Sequence, residues 1–575
     1  MRNLLRCLLF LVSLSVNGQS VAMNTKIAYS YTPDNLLVYV DTYKADLTRN
    51  TPTTYYVETT GSSGNSGTSI GSPWDLATAM SSAPAGALVH VKIGQYPKVT
   101  QSADGTATNG IIYRGYKTSP NDIISFQTST YVQTSASDEP LSTEYPMIEG
   151  LDSVVSDQYG IIVDGDYVQL ENFVSADWKI GVIWNGNDGF MKNVITHSCY
   201  VGAQLGSLTL GDRLVVENSF ALNHGSTAYG FRATNAVIRN SIAWSDMTTE
   251  PSGADDLNSG MAYFFLMDGN QNSVVEGCTA YRIPSTAGGF GGAHQGHGFV
   301  GKFASENNTW RNSVSYNTGI EANFGDVTSN IWQDIEIYGD NETYTSQFSA
   351  SIRVLNGAHD NIFNRIFMKG AKYVFEWVDF DDGQAGSDLN DGSVDNDFTN
   401  IHADGYRGVL LVADSEFTGP ASNSTGNNIV NSTFKRHYGG GPPFVINHNI
   451  ATTKFINCNF QDCSTSYQQD TTNSPSVDYT FEYTNFFNNG WPTPSGTSIT
   501  TLTPLYVGGS DDILKHQLAS NSPTKDIGVT TALTATDILG ATRPEGVGYD
   551  IGAFEFGGVV TPPTNTVTNT SWWAW

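Results

Sequence analysis

Short segments in which apolar and polar residues alternate recur along the middle of this 575-residue chain. Laid under one another, the segments share one position, which is held by Asn172, Asn193, Asn218, Asn240, Gly277, Asn312, Asn400, Asn431 and Asn457, with weaker copies at Asp334 and Asn364. Successive copies lie between 21 residues (172 to 193) and 37 residues (240 to 277) apart. Alternation with a period of two predicts short β-strands, and a repeat of this length predicts a solenoid.

Between the copies no stretch keeps the 3.6-residue apolar period that a helical or leucine-rich repeat needs. We therefore predict an all-β chain that forms a right-handed parallel β-helix, with coils stacked strand on strand. The recurring asparagine suits a corner of each coil, because asparagine tolerates the left-handed backbone conformation and its amide can bond to the next coil. Most polar residues of the repeat are then structural.

Two cysteines, Cys278 and Cys458, occupy strand positions that serine holds in other copies. We expect both to be buried thiols. Cys458 and Cys463 are also close enough in sequence to close a small disulfide loop, and spacing alone does not decide between the two states.

The repeat and the composition divide the chain into six parts. They are a secretory signal (1–22), an N-terminal lead (23–54), a cap with the first coils (55–145), the β-helix core (146–490), the C-terminal coils (491–556) and a linker or tail (557–575). The signal has basic Arg2 and Arg6, an apolar run and a small-residue cleavage site. No later stretch is long and apolar enough to span a bilayer. We expect an exported, extracellular monomer without membrane insertion.

The beginning of the cap reads as a strand at 55–59, a short helix beginning at 73–80 and a second strand at 88–93. It resembles the start of pectin-lyase-like β-helix proteins. That resemblance implies a short amphipathic helix over the open end of the solenoid, where uncovered strand edges would otherwise be exposed.

Charge limits the choice of partner. The chain has 56 acidic and 28 basic residues, a net charge of −28, which argues against a nucleic-acid ligand. Seven aspartates lie between 379 and 397 with interspersed glycines. This pattern is consistent either with a calcium site, since Ca²⁺ takes six to eight oxygen ligands, or with a solvated acidic loop.

Two long intervals between copies, 240–277 and 277–312, predict a wall of loops beside the middle coils. A groove next to such a wall suits a linear polymer. Here the segments NSIAW, GCTAY, GHGFVGKF and WRNSVSYN resemble polysaccharide lyase family 9. The resemblance implies cleavage of an anionic, uronic-acid-containing polysaccharide by β-elimination, with a lysine as the base and calcium as the Lewis acid.

Lys302 matches the family's lysine, although it stands three residues after Phe299 instead of one, an offset that keeps it on the same face of a strand. With it we expect His297 and Arg311 to be catalytic. The predicted substrate-binding residues are Arg282, Arg232, Tyr229 and His294, and Arg282 or Arg311 would hold the substrate carboxylate. The family's acidic calcium-binding run is missing after GCTAY, so Asp255, Asp256 and Asp268 become the candidate calcium ligands.

Other interpretations remain open. His224 and Tyr229 together suit a metal-free acid/base pair. A glycoside hydrolase would use two carboxylates, drawn from Asp255, Asp256, Asp268 and Glu321. A non-catalytic glycan-binding or adhesin solenoid also fits the 12% aromatic content, because a fold does not settle a function.

Overall fold

Parallel strand pairing dominates the computed structural model of this protein. The structure describes residues 52–120, 122, 142–150, 159–206, 212–245, 262–282, 296–323, 327–339, 352–355, 357–371, 373–379, 394–406, 408–414, 423–437, 444–446, 450–463, 476–490, 493–510 and 513–557. In these residues the strands form a 25-stranded sheet (sheet A) and a 12-stranded sheet (sheet B). The predicted all-β parallel β-helix with a short N-terminal helix is confirmed. No helix in the described part of the chain is long and apolar enough to cross a membrane.

The first coils contain α1 (Leu76–Ser82) and the strands β1 (Thr53–Val57), β2 (Ala87–Lys92), β3 (Gly94–Tyr96), β4 (Val99–Gln101), β5 (Ile111–Tyr116), β6 (Pro146–Glu149), β7 (Tyr159–Val163), β8 (Val168–Glu171), β9 (Val174–Ala176), β10 (Ile180–Trp184), β11 (Phe190–Lys192), β12 (Ile195–His197) and β13 (Val201–Leu205). The middle coils contain β14 (Val215–Glu217), β15 (Phe220–Leu222), β16 (Thr227–Phe231), β17 (Val237–Arg239), β18 (Ile242–Ser245), β19 (Ala262–Asp268), β20 (Val274–Glu276), β21 (Thr279–Arg282), β22 (Gly296–Lys302), β23 (Thr309–Tyr316), β24 (Gly319–Asn323), β25 (Ile331–Tyr338) and β26 (Ile352–Leu355). The last coils contain β27 (Ile362–Lys369), β28 (Tyr373–Asp379), β29 (Asp397–Tyr406), β30 (Gly408–Asp414), β31 (Asn423–Val430), β32 (Thr433–His437), β33 (Phe444–Ile446), β34 (Ile450–Ile456), β35 (Asn459–Cys463), β36 (Ser476–Glu482) and β37 (Asn485–Phe487), followed by a 3₁₀ turn at Leu514–His516.

Each coil has three straight sides. In one coil, β8 leads through Asn172 (φ 63°) to β9, then through Asp177 (φ 60°) to β10, and a third corner at Asp188 (φ 54°) begins the next coil. Strands β8 and β9 both belong to sheet A, and β10 belongs to sheet B. Sheet A is therefore bent along the first corner, into segment 1 before it and segment 2 after it.

The asparagine row predicted from the sequence forms that first corner. Asn193 Nδ2 donates to Asn172 Oδ1 on the preceding coil at 3.1 Å, and Asn457 pairs with Asn431 in the same way at 2.9 Å. One copy is displaced by a residue: Arg365, and not Asn364, has the positive φ (53°). Its guanidinium pairs with the preceding corner residue, Asp334, at 2.6 Å, so an ion pair replaces the amide contact there.

A second asparagine row, which the sequence analysis missed, lies inside the solenoid at the corner after sheet B. The backbone N–H groups of Asn308, Asn330, Asn361 and Asn396 each donate to the side-chain oxygen of the next member, ending at Asn427, over 2.9 to 3.1 Å. All five are buried. Buried polar groups need such partners, because an unpaired one is strongly unfavourable.

A helix covers the N-terminal end of the described coils, and the C-terminal segment covers part of one side. Asp75 accepts a hydrogen bond from Thr78 N at 2.8 Å and caps α1, whose Leu76, Ala79 and Met80 are buried against the first coils. The predicted helix thus begins three residues later than expected. Residues 513–557, the C-terminal segment, fold back over sheet A, where Phe554 packs with Phe367.

Cys199, Cys278, Cys458 and Cys463 are free, buried thiols. Cys278 N donates to Ser313 Oγ on the next coil at 3.1 Å, which is the serine-equivalent position expected from the repeat. Cys463 Sγ lies 3.3 Å from Tyr406 Oη. Of the two states left open by the sequence, the structure has the free thiols.

Candidate active site

Charged side chains gather on the outer face of sheet B, where the strands of five successive coils bring them into register. Asp268 in β19 stands beside Lys302 in β22, and Lys302 stands beside Asn323 in β24. In the neighbouring row, Glu321 lies next to Arg353 in β26, and Glu376 in β28 follows.

These side chains point outward because alternate residues of the same strands fill the interior. Phe299, Ile320, Ala322 and Val354 belong to the hydrophobic core, so Lys302, Glu321, Asn323 and Arg353 face the other side. They are nevertheless buried; Arg353 is 3% exposed and Glu321 0%. Charges at this depth must be compensated by one another.

Lys302 contacts a tyrosine from the preceding coil. Its Nζ donates to Tyr263 Oη at 2.5 Å and lies 4.5 Å from the centre of the same ring. Burial, followed by the nearby Glu321, raises the pKa of Tyr263 well above 10.0. Tyr263 therefore keeps its proton at neutral pH, and its hydroxyl contacts the amino nitrogen of Lys302.

His297 is fixed on both of its ring nitrogens. Nδ1 lies 2.6 Å from Glu321 Oε2, and Nε2 lies 3.4 Å from Arg353 Nη1. An arginine can only donate, so Nε2 accepts and the proton of a neutral ring sits on Nδ1, from which it is donated to Glu321. Burial lowers the pKa of His297, and this outweighs the opposing effect of Glu321.

Glu321 stays ionised. Burial alone would raise its pKa, but His297, Arg353 and Lys302 together hold that pKa well below its usual value. Arg353 Nη1 lies 3.3 Å from Glu321 Oε2, Asn323 Nδ2 donates to Oε1 at 2.8 Å, and Arg353 Nε lies 3.1 Å from Glu376 Oε2. One arginine thus bridges two buried carboxylates.

The rim of this cluster is more open. Arg232, which directly follows β16, has a side chain that is 45% exposed, and its guanidinium lies 2.8 Å from Asp268 Oδ2. Strand β16 pairs with β19, which carries Asp268, and β19 pairs with β22, which carries Lys302. Arg232 is therefore two strands away from Lys302, about 10 Å at the usual strand spacing. The described cluster therefore runs from a half-exposed arginine to a buried lysine.

Several residues predicted for the site lie elsewhere. Arg311 is on the outer face of sheet A, at the end of a row in which basic and acidic residues alternate from coil to coil: Arg114, Glu171, Lys192, Glu217, Arg239, Glu276 and Arg311. Its Nε lies 3.1 Å from Glu276 Oε1. This ion-pair row explains Arg311 structurally, so we remove it from the site.

Arg282 ends β21 on sheet A and is also outside the cluster. Tyr229 lies inside the solenoid, stacked on Phe265 with ring centres 5.3 Å apart, and burial raises its pKa well above 10.0. His224 is buried against Phe264, and burial lowers its pKa to about 3. A polymer outside the coils cannot reach Tyr229, so we also leave it out.

The predicted calcium site is not assembled in the described residues. Asp255, Asp256 and His294 lie outside them, as does most of the acidic stretch between 379 and 397. Asp268 is paired with Arg232. In the described part of the chain, no group of three or more histidine, cysteine, aspartate or glutamate side chains is placed to hold a metal ion.

Tyr263, Arg353 and Glu376 were missed at the sequence level. A signal was present for two of them: Arg353 in IRVL and Glu376 in YVFEWVD are charged residues with apolar neighbours on both sides within a strand. Such a charge is unfavourable unless it is paired, and it marks a site candidate. Tyr263 carries no comparable signal, because tyrosine is common in strands.

Comparisons with known proteins give similar solved structures of low sequence identity. No family model and no curated protein matches the chain. Among solved structures, the chain is similar to pectate lyase Pel9A (14% identity, 87% of this chain and 96% of that chain, TM-score 0.35). It is also similar to the A-module of the mannuronan C-5 epimerase AlgE6 of Azotobacter vinelandii (11% identity, 71% and 92%, TM-score 0.39) and to an alginate lyase from Paenibacillus sp. str. FPU-7 (15% identity, 72% and 96%, TM-score 0.29). Likeness at this level concerns the fold and does not identify a reaction.

Proposed function

We propose that this protein is a secreted polysaccharide lyase that cleaves a uronic-acid-containing polymer by β-elimination at the outer face of sheet B. The observation that carries the proposal is the contact between Lys302 Nζ and Tyr263 Oη at 2.5 Å. This contact supports the proposal because a candidate base and a protonated candidate acid then lie side by side, next to the buried ion pair of Glu321 and Arg353.

In the proposed reaction, Lys302 reacts as the neutral amine and takes the proton from C5 of a uronate, the carbon next to its carboxylate. The electrons of the C5–H bond form a C4–C5 double bond, and the bond from C4 to the bridging oxygen breaks. Tyr263 gives its proton to the departing oxygen. The lysine, now an ammonium, returns a proton to the adjacent tyrosinate, so both groups regain their starting states.

His297 and Glu321 contact each other beside the Lys302–Tyr263 pair and help to hold it in position. The neutral histidine donates to Glu321, and Arg353 balances the charge of Glu321. We assign His297 a positioning role, because both of its nitrogens are engaged by protein groups. Its stacking on Tyr263, with ring centres 5.6 Å apart, holds the tyrosine ring in place.

Substrate carboxylates need positive charge. Arg232 supplies it at the exposed rim, about two strand spacings from Lys302, which suits the carboxylate of a neighbouring sugar unit. Calcium stays part of the proposal as an ion that would neutralise the reacting carboxylate. Because the described residues do not form a ligand set for it, no step is assigned to it here.

Hydrolysis by two carboxylates fits this geometry less well. A hydrolase needs one carboxyl group that keeps its proton to protonate the leaving oxygen. Glu321 is held ionised by its neighbours, and Asp268 is paired with Arg232. The proton donor beside the base is a tyrosine, which favours elimination.

Ultraviolet absorbance tests the proposal, since elimination creates a double bond conjugated to the carboxylate and hydrolysis does not. The secreted protein is incubated with pectate, alginate, ulvan and glycosaminoglycans, each with calcium and with a chelator. We expect absorbance to rise with one polymer and to be lost in Lys302→Ala, while Lys454→Ala, at an exposed lysine of β34, retains it. New reducing ends without absorbance would instead establish a hydrolase. Silence in both assays with every polymer would count against an enzyme for these substrates.

A further inference from the structure

Four aromatic residues form one file along segment 2 of sheet A. Trp244, Tyr281, Tyr316 and Tyr338 occupy the same register position on successive coils. Neighbouring ring centres are 5.6, 5.9 and 5.3 Å apart. The file thus presents one ring per coil, in a line parallel to the axis of the solenoid.

The rings face outward. The preceding residues Ala243, Ala280 and Ile337 are buried in the core, so their neighbours point away from it. All four aromatic side chains are partly exposed. Outward aromatic rings repeated on consecutive coils are not needed for the interior, which has its own stack from Trp310 and Trp332, with ring centres 4.4 Å apart.

Flanking parts of the same outer face are covered by protein. On earlier coils, Leu222 is buried in an outer cluster with Tyr145 and Met147. On later coils, Phe367 is buried by Leu539 and Phe554 of the C-terminal segment. The file therefore lies between two covered regions of this apolar face, and its own rings are partly exposed. Exposed aromatic surface of this kind marks binding sites.

The file adjoins the candidate active site. Tyr316 ends β23 and Glu321 lies in β24, and only the short corner at Asn317 and Thr318 separates the two strands. On that coil the aromatic ring and the buried carboxylate are on adjacent sides of the solenoid. A long polymer that leaves the site around this corner meets the file.

We infer that the file is a second binding surface for the polysaccharide, outside the catalytic cluster. One face of a pyranose ring presents C–H groups, and the exposed edges and faces of a row of aromatic rings bury them at little entropic cost. A line of rings one coil apart matches a linear chain of sugar rings better than it matches a compact ligand. Lys369 continues the same row after Tyr338, which adds a positive charge suited to a uronate. The inference rests on the proposed function for the identity of the polymer.

Binding is measured separately from catalysis, in the Lys302→Ala background, by calorimetry with polygalacturonate and with alginate. We expect Tyr281→Ala and Tyr316→Ala each to weaken binding of the preferred polymer about tenfold, the effect of losing roughly one stacking contact. Tyr316→Phe keeps the ring and should bind normally. Tyr200→Ala, at a partly exposed tyrosine outside the file, is the matched control, and melting temperatures show that each variant is folded.

The outcomes separate the two proposals. Unchanged affinity in both folded alanine variants overturns the file as a glycan surface, whether or not the wild-type protein shows lyase absorbance. Weakened affinity without lyase absorbance in the wild type supports the file and overturns the proposed reaction. If light scattering shows that the alanine variants lose a dimer and keep their glycan affinity, the file binds a second copy of the chain, and the glycan inference is wrong.

Discussion

Lys302 and Tyr263 stand 39 residues apart in the chain, yet Nζ and Oη are 2.5 Å apart across neighbouring strands of sheet B. If they act as base and acid, removing the hydroxyl alone should disable the reaction. We expect Tyr263→Phe to lower kcat about 10²- to 10⁴-fold with little change in KM, because the ring under Lys302 remains. Steady-state absorbance kinetics measure both constants. Near wild-type kcat in this variant would remove Tyr263 from the reaction.

Two arginines distinguish the outer face of sheet B from that of sheet A. Arg232→Gln should raise KM for the polymer and leave kcat nearly unchanged, since its side chain is at the half-exposed rim. Arg311→Gln should change neither, because Arg311 pairs with Glu276 on the other sheet. Kinetics on the same polymer compare the two variants directly. A large loss of kcat in Arg311→Gln would return that residue to the site.

Arg353 balances two buried glutamates. Its replacement by leucine leaves Glu321 and Glu376 without that charge, and we expect the free energy of unfolding to fall by about 3 to 5 kcal/mol. Urea denaturation measures it. Arg311→Leu is the matched control, because breaking a partly exposed ion pair is worth about 1 kcal/mol or less. Equal losses in the two variants would contradict the burial of the Arg353 cluster.

The inner asparagine row should be sensitive to a single change. The Asn361 side chain accepts a hydrogen bond from Asn330 N and donates one to Val327 O. Asn361→Leu therefore leaves these two buried backbone groups without that partner. We expect a loss of about 2 to 6 kcal/mol, at 1 to 3 kcal/mol for each unpaired group. Asn193→Gly, which keeps the positive-φ corner and removes one partly buried hydrogen bond, should cost about 1 kcal/mol. Thermal and urea unfolding together test the ranking.

Acid should loosen the contact between the C-terminal segment and sheet A. Burial lowers the pKa of His402 well below 6.5 and also lowers that of His516, and the rings lie 4.4 Å apart. Asp404 opposes these shifts, whereas Lys435 and Lys515 add to them. Both rings are thus neutral when folded and take up protons near 6.5 when unfolded.

It follows that the stabilising contribution of this pair is complete above pH 6.5 and is lost as pH falls below it, by up to about 1.4 kcal/mol per histidine per pH unit. Melting temperatures between pH 8 and pH 5 should fall, and His402→Phe, which keeps the stack on Phe367, should fall less steeply. A variant with the same slope as wild type would show that other groups set the acid sensitivity.

The strand periodicity and the corner asparagines were enough to predict the coils, because both reflect local backbone preferences. Register was harder: the copy at 364 was placed one residue early, since Arg365 takes the left-handed conformation through its ion pair with Asp334. The preference of asparagine for such corners does not predict that an arginine can hold the position instead.

The site was predictable where its residues lay on one strand. Lys302 and His297 both belong to β22. Arg353 and Glu376 come from later coils, and the insertions between coils have unequal lengths, so the pairing of their strands with β24 is not readable from spacing. Arg311 lies on sheet A, apart from the cluster, and the sequence could not indicate this because an outward arginine in a repeat looks the same on either sheet.

In a simple solenoid each coil contacts only its neighbours, and coils are expected to fray one at a time from an end. Here the C-terminal segment bridges distant parts of the chain, since Ala553 N donates to Thr433 Oγ1, 120 residues earlier, at 3.0 Å. The last coils therefore cannot unfold before the C-terminal segment detaches from them. The amide protons of the C-terminal coils should therefore exchange as one cooperative block. Refolding of this block should be slow, because the contact between Ala553 and Thr433 closes a loop of 120 residues.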